Sequence, residues 1–377
     1  MTDYDVIVLG VGGMGAAACD QLAGRGVRVL GLEQFDIGHD RGSSHGDTRI
    51  IRKAYFEHPD YVPLLHKTYR GWDDLAQDAD EVLFDRCGLL LAGQPHRALI
   101  SGTRRAAEEH ELVLQEVPPS EVERRFPGLV LPPGMTVLWE GDAGYLRVEA
   151  CVRAAAARAA RRGATIRTAE RVLRWTATGE GVEVTSIGAT YRAGRLVICG
   201  GPWAGELLAD LRLPLSVRRK VQLWFPTRGG LYAREQGFPV FAMQNEEGFF
   251  YGFPSLDGAT IKVAEHTGGD VVARPEVAER ALQPGDVARV AAFIVEHLPG
   301  IDHRPTRHAV CFYTMTPDEH FIIDRHPAHA QVCFAAGFSG HGFKFAPIVG
   351  SILADLALTG TTAEPSGFLR LSRFQGF

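Results

Sequence analysis

The sequence predicts an α/β protein of two units, and three observations carry that expectation. The first thirty-odd residues read as strand, glycine-rich turn, helix and a second strand ending in an acid. Apolar strand patterns then alternate with helical patterns, which favours a layered α/β arrangement. Between residues 221 and 264 four strand-like runs follow one another with only turn residues between them, the mark of an antiparallel sheet. At 377 residues the chain is also long for a single core.

The first element is Val6 to Leu9, a short apolar run suited to a buried parallel strand. It breaks at Gly10-Val11-Gly12-Gly13-Met14-Gly15, before a helical stretch from Ala16 to Ala23. Gly10 permits the tight turn, Gly12 lets a pyrophosphate approach the backbone, and Gly15 lets the helix pack closely on the strand. Free N–H groups at the helix start then face an anion. The next strand, Val27 to Leu32, ends in Glu33, whose carboxylate can accept hydrogen bonds from both hydroxyls of an adenosine ribose. The pattern is a Rossmann-like dinucleotide cradle. Whether it holds FAD or NAD stays open at this point, because both present an ADP half.

Composition narrows the partners. Hydrophobic residues make up 45% and charged residues 23%, as in an ordinary globular enzyme. The 40 basic and 45 acidic residues leave a net charge of −5, which offers nucleic acid or an anionic membrane no general attraction. No run of 18 apolar residues occurs, and the first strand begins too early for a signal peptide, so a cytoplasmic location is expected. Gln375-Gly376-Phe377 is not a peroxisomal address of the Ser-Lys-Leu kind. Six cysteines without a C-x-x-C pair fit reduced thiols, and no metal site is expected.

After Glu33 a polar loop, Gly38 to Asp47, leads to Arg49 and Arg52. In a helical turn the two arginines would share a face and attract a carboxylate, or they belong to a solvated basic turn. Helices are predicted at Tyr61 to Leu75, Arg97 to His110, Val148 to Arg162 and Pro284 to His297, and Ser120 with Glu123 reads as a capping box opening a short helix. Leu89 to Leu91, Thr165 to Arg167, Val172 to Thr176, Val182 to Thr185 and Leu196 to Cys199 read as strands. The four runs of the second unit are Val221 to Phe225, Val240 to Met243, Phe249 to Phe253 and Thr260 to Ala264. Lys262, Ala264 and His266 fall on one face of the last run, and the lysine either meets water or is held for a purpose. In the strand His308 to Thr314, Cys311 and Tyr313 share a face. Gly337 to Phe345 interleaves glycines, aromatics and Lys344 before a helix from Ala346 to Leu358, a second helix start aimed at a ligand. A lysine beside a flavin would stabilise its anionic reduced ring.

With these residues in place, the chain resembles the monomeric sarcosine oxidase family of covalent flavoproteins, which includes N-methyltryptophan oxidases and sarcosine/pipecolate oxidases. The resemblance runs nearly end to end and is carried by Ser43-Ser44-His45-Gly46-Asp47-Thr48-Arg49-Ile50-Ile51-Arg52, by Cys311-Phe312-Tyr313-Thr314-Met315-Thr316-Pro317-Asp318-Glu319-His320, and by Phe338-Ser339-Gly340-His341-Gly342-Phe343-Lys344. It implies FAD attached by a thioether to Cys311. It also implies that Arg52 and Lys344 hold a substrate carboxylate and that Tyr251, His266 and Tyr313 line the amine side. His45 and Arg49 would stand beside the flavin ring, and Lys262 would activate O2. Gly10, Gly12, Gly15, Glu33, Ser43, Gly340, Gly342 and Lys344 would serve the cofactor.

The implied reaction is oxidation of an N-methyl or cyclic secondary amino acid to an imine, which hydrolyses to aldehyde and amino acid, with O2 reduced to hydrogen peroxide by a monomer that needs no metal. The implied architecture is a Rossmann-like FAD-binding domain built from residues 1–80, 148–215 and 308–377. A substrate domain from 81–147 and 216–307 would carry a mixed or antiparallel sheet. Ser44 where several bacterial sarcosine and N-methyltryptophan oxidases have His, and Phe56-Glu57-His58-Pro59-Asp60 where sarcosine oxidases have a Gly-rich loop, widen the expected substrates toward a bulkier or cyclic secondary amino acid such as L-pipecolate, with N-methyltryptophan oxidation an alternative within the same family. A nicotinamide dehydrogenase would leave Cys311 and the Gly-Phe-Lys loop without a task. A flavoprotein without turnover would not need Lys262, Arg52 and Lys344 together.

Overall fold

The computed structural model describes residues 3–374, so Gln375-Gly376-Phe377 lie outside the described residues. Its first layer is an eight-stranded sheet with a parallel centre. Tyr4–Leu9 lies between Val29–Leu32 and Thr190–Ile198, Thr165–Arg167 extends the far side of Val29–Leu32, and Val332–Ala336 runs along the second half of Thr190–Ile198. Residues 6–9, Val29–Leu32 and Val332–Ala336 are buried on both faces because both are covered. Gly13–Ala23 packs on one face with the helices Val148–Arg161 and Ala346–Thr359. The antiparallel pair Val172–Thr178 and Gly181–Ser186 continues from the first half of Thr190–Ile198, and Ile322–Arg325 pairs with Val332–Ala336 on that same side, while Thr165–Arg167 forms the opposite edge.

The second layer is a mixed eight-stranded sheet. Its order is Arg307–Met315, Ser216–Pro226, Thr260–Glu265, Phe249–Gly252, Val240–Gln244, Leu89–Gly93, Thr136–Glu140 and Gln115–Glu116. All neighbours are antiparallel except Val240–Gln244 beside Leu89–Gly93. The helix Pro284–His297 seals the back face, where Phe293 stacks on Phe250 with centroids 4.5 Å apart. A small sheet of Thr48–Ile51, Gly144–Arg147 and Phe84–Asp85 lies between the layers in sequence. No helix among the described residues is long and apolar enough to cross a membrane.

Three expectations change. Arg307–Met315 pairs along its whole length with Ser216–Pro226, so by sheet membership the join expected at residue 308 falls after Met315. Arg49 lies in the strand Thr48–Ile51, and Arg52 follows it, rather than both sharing a helical turn. The capping box at Ser120 does not form. The helix Pro119–Arg125 starts two residues earlier, because proline's fixed φ and missing N–H suit the first helical position.

Candidate active site

The cradle has the geometry its glycines require. Gly10 ends the first strand at φ +81°, and a Cβ there would stand 2.5 Å from the Cys199 carbonyl oxygen. A Cβ on Gly15 would lie 1.7 Å from the Gly10 carbonyl oxygen, so the helix can cross the strand end only without one. Glu33 is buried, and its two oxygens accept from the Val11 and Phe35 N–H groups at 2.8 and 3.1 Å. Each oxygen keeps a second acceptor direction, and Glu33 borders a cavity of ≈ 280 Å³. Gly10, Gly12, Ser43, Arg49, Tyr313, Gly340 and Gly342 also line that cavity. One buried polar atom on its wall, Thr314 Oγ1, has no hydrogen-bond partner in the protein. Buried polar atoms are seldom left so, and a bound ligand would satisfy it. The residues present therefore fit a dinucleotide that runs from Glu33 toward Arg49 and Gly340.

A smaller cavity of ≈ 70 Å³ shares Arg49, Tyr313, Gly340 and Phe343 with the larger one. Its polar side holds Arg52, Glu57, His341 and Lys344, and Tyr251, His266 and Tyr313 line it as well. The second sheet brings most of these together by register. Residues directly opposite in a sheet point to the same face. Leu91 faces Ala242, Ala242 faces Tyr251 and Tyr251 faces Ala264, while Lys262 faces Trp224, Lys220 faces Cys311 and Arg218 faces Tyr313. One sheet face thus carries Tyr251, Lys262, His266, Cys311 and Tyr313.

Arg52 is buried, with Nη2 donating to both carboxylate oxygens of Glu57 at 2.7 and 2.8 Å and Nη1 to the Ala54 carbonyl at 3.0 Å. Its guanidinium lies 4.2 and 4.4 Å over the Tyr55 and Phe56 rings. Burial opposes the charge on Glu57, but Arg52, then His341 and Lys344, hold its carboxyl at about 2. Sequence reasoning missed Glu57 as a site residue, and its only signal was an acid in the loop that departs from the sarcosine oxidase pattern. Lys344 Nζ donates to the His341 carbonyl at 2.6 Å and to the Tyr55 hydroxyl at 3.3 Å. Burial, then Arg52, lowers its amine from 10.5 to about 7. Burial likewise keeps His266 down at about 3 and His341 at about 4, so both imidazoles are neutral. Tyr55 and His341 were missed too. His341 Nε2 bonds to the Glu319 carbonyl at 2.9 Å, which leaves Nδ1 to accept from the Tyr55 hydroxyl at 2.6 Å.

Lys262 is 3% exposed, which decides between water and confinement. Its Nζ donates to the Gly46 and Thr48 carbonyls, each at 2.7 Å, and sits 4.2 Å over the Phe253 ring. Burial and then Arg49 push its amine well below the ordinary lysine range. Arg49 shares two of its acceptors, the Thr48 carbonyl at 2.9 Å and Gln222 Oε1 at 3.4 Å. Glu149 holds the same loop by accepting from the Gly46 N–H at 2.6 Å and the Asp47 N–H at 3.1 Å. His45, Lys262 and Cys311 border neither cavity. Cys311 Sγ is 3.3 Å from Arg49 Nη2. Burial alone would raise this thiol, but Arg49 and His45 lower it from 9.0 to about 7. The other buried cysteines Cys19, Cys151, Cys199 and Cys333 are all raised by burial.

Outside the lining of both cavities, Asp210, His326 and His329 bring ligand-type atoms within 4.8 Å of one another. His326 Nδ1 accepts from the Ala328 N–H at 3.2 Å while Nε2 faces Asp210 Oδ2 at 2.8 Å. Both ring nitrogens are therefore engaged in a structural pair.

Comparison with known proteins agrees with the geometry. Residues 5–356 match the family described as FAD dependent oxidoreductase. The chain is 43% identical over 369 residues to a monomeric sarcosine oxidase of Streptomyces avermitilis, covering 97% of this chain and 96% of that one. It is 34% identical over 373 residues to an N-methyl-L-tryptophan oxidase of Salmonella dublin, covering 98% and 99%. The solved structure of NikD, an unusual amino acid oxidase essential for nikkomycin biosynthesis, superposes with a TM-score of 0.87 at 27% identity over 98% of both chains. The chain belongs to the FAD dependent oxidoreductase family and, within it, to the monomeric sarcosine oxidase family, and it is a flavin-dependent oxidoreductase.

Proposed function

We propose that the protein oxidises secondary amino acids, N-methylated or cyclic, with O2 as electron acceptor. The observation that carries this reading is the smaller cavity, which the basic side chains Arg52 and Lys344 line together with neutral Tyr251, His266 and Tyr313, and which shares Arg49, Tyr313 and Gly340 with the dinucleotide cavity. The family names of the relatives support the same substrate class. Arg52 and Lys344 hold the carboxylate, which requires Glu57 to give up part of its contact with Arg52. Burial and the neighbouring cations disfavour a substrate ammonium, so the amine binds neutral with its lone pair free. His266 and Tyr313, 3.4 Å apart, orient that amine. Phe56 and Phe249 exclude water from the apolar side. Bound FAD supplies a two-electron acceptor for the C–N bond and returns the electrons to O2 as hydrogen peroxide. The imine left behind takes up water and yields aldehyde and amino acid.

The thioether to Cys311 is part of the proposal. It is supported by a thiol that Arg49 and His45 bias toward thiolate, the nucleophilic form. Oxygen activation is assigned to Lys262, whose ammonium form the Gly46 and Thr48 carbonyls would stabilise as negative charge develops on O2. The similarity to monomeric sarcosine oxidases favours a monomer. The test is an absorption spectrum of protein purified without added cofactor, then of its acid-precipitated pellet, followed by anaerobic addition of sarcosine, N-methyl-L-tryptophan and L-pipecolate. A yellow pellet and bleaching by at least one amine are expected. A colourless pellet refutes the thioether, and a bound flavin that none of the amines bleaches refutes amine oxidation.

A further inference from the structure

One part of the wall of the smaller cavity is apolar, formed by Ile50, Leu89, Leu91, Ala242 and Phe249, with Phe56 against the Arg52 guanidinium. Its shape follows from strand register. Leu91, Ala242 and Tyr251 lie directly across three neighbouring strands. Side chains so placed have Cβ atoms about 5 Å apart and form one continuous row. The row is large, small, large, because Ala242 ends at Cβ between a leucine and a tyrosine. Ala242 is 2% exposed, so this notch is enclosed, and its neighbours in sequence, Phe241 and Met243, turn the other way into the core behind the sheet. Among the described residues lining this wall no side chain offers a hydrogen bond. A substrate with nothing on Cα, such as sarcosine, would leave the notch unfilled.

We propose that Ala242 is a specificity-determining residue, and that the preferred substrates are secondary amino acids with apolar bulk on Cα or in a ring that joins Cα to nitrogen. The inference rests on the reading of the smaller cavity as the amino-acid site. With the carboxylate fixed by Arg52 and Lys344 and the amine turned to His266 and Tyr313, the substituent on Cα is left to meet Leu91, Ala242 and Phe249. A buried methylene in an apolar enzyme pocket discriminates by about 10- to 200-fold. L-Pipecolate and N-methyl-L-valine should therefore exceed sarcosine in kcat/KM by more than about tenfold. Ala242→Met fills the notch, and Ala242→Val fills part of it with less risk to folding.

The experiment measures kcat/KM for L-pipecolate, N-methyl-L-valine and sarcosine in the wild type and both variants. It adds the binding of two carboxylates that lack an amine, acetate and cyclohexanecarboxylate, read from the thermal midpoint of the holoenzyme. The ratio of L-pipecolate to sarcosine kcat/KM is expected to fall at least about tenfold in Ala242→Met and by an intermediate factor in Ala242→Val. Cyclohexanecarboxylate binding should weaken relative to acetate in the same order. A wild type that prefers sarcosine, or a ratio unmoved by both variants, overturns the proposal. If no secondary amine is oxidised while cyclohexanecarboxylate binding still responds to Ala242→Met, the apolar notch stands and the amine oxidase reading fails.

Discussion

Binding of a simple carboxylate should be coupled to the uptake of a proton by Lys344. Burial and Arg52 lower this amine to about 7, so in the free site at pH 8 it is mostly neutral. A carboxylate entering the cavity adds a negative charge beside it and draws a proton onto Nζ. At about 4 Å and an effective dielectric near 20, that charge is worth roughly 4 kcal/mol, or about 3 pK units at 1.36 kcal/mol each. The sign is fixed by those two states: affinity is highest below pH 7 and falls as pH rises, with Kd growing about tenfold per unit until the bound-state pKa near 10. The other groups facing Lys344 do not titrate in this window, since Glu57 at about 2 and Arg52 stay charged and His341 at about 4 stays neutral. A free Cys311 thiol at about 7 would titrate, which makes Lys344→Met the necessary control. Acetate binding to the holoenzyme would be followed by calorimetry between pH 6 and 9 in two buffers of different ionisation enthalpy. A steep profile with uptake of nearly one proton at pH 8 is expected, and a weak, flat one in Lys344→Met. A flat wild-type profile, or a slope that survives in Lys344→Met, refutes the reasoning.

Other perturbations follow from the same contacts. Tyr55→Phe removes the hydroxyl that accepts from Lys344, and a hydrogen bond to a charged group is worth about 1.5–3 kcal/mol. The midpoint of the acetate profile should move down by about one pH unit, and an unmoved midpoint counts against the contact. Gly15→Ala puts a Cβ 1.7 Å from a carbonyl oxygen in the cradle, so the purified protein should lack flavin, and a wild-type ratio of visible to ultraviolet absorbance would refute this. Arg158→Ala strips buried Asp20 of a two-bond partner and leaves it only Arg162 at 3.0 Å. Urea denaturation should show a loss of about 3–5 kcal/mol, and a loss below about 1 kcal/mol would contradict the uncompensated-charge argument.

Local chemistry explains which parts of this chain were legible. The cradle was, because Gly10 and Gly15 are demanded by backbone contacts within a few residues of each other. Individual strands were, because alternation is a local property. Their partners were not. Nothing local to residues 307–315 says that they join Ser216–Pro226 rather than the dinucleotide sheet, and nothing near Leu89 announces its parallel neighbour Val240–Gln244. Charged residues divided in the same way. Arg52 and Lys344 were flagged by motif, but Glu149 and Gln222 act through partners that only folding brings near, and Glu57, though close to Arg52 in the chain, carried no motif. Lys262 stayed ambiguous until its acceptors were known, and those acceptors are the carbonyls of Gly46 and Thr48, more than 200 positions away in the chain.

The site's chemistry is consequently held by register more than by any single bond. In Thr260–Glu265, Lys262 points to the active face while Ile261 and Val263 enter the core behind the sheet with Phe241, Phe250 and Phe293. Slipping that strand by one residue would bury Lys262 among those aromatics and present Val263 to the site, because side chains alternate with period two. The back-face core prevents this, since each apolar residue fits only one side. Stability and activity are therefore joined at positions that never touch a ligand. Phe250 lies one residue from Tyr251 and stacks on Phe293, so the packing that fixes Phe250 also fixes the direction in which Tyr251 meets the substrate cavity.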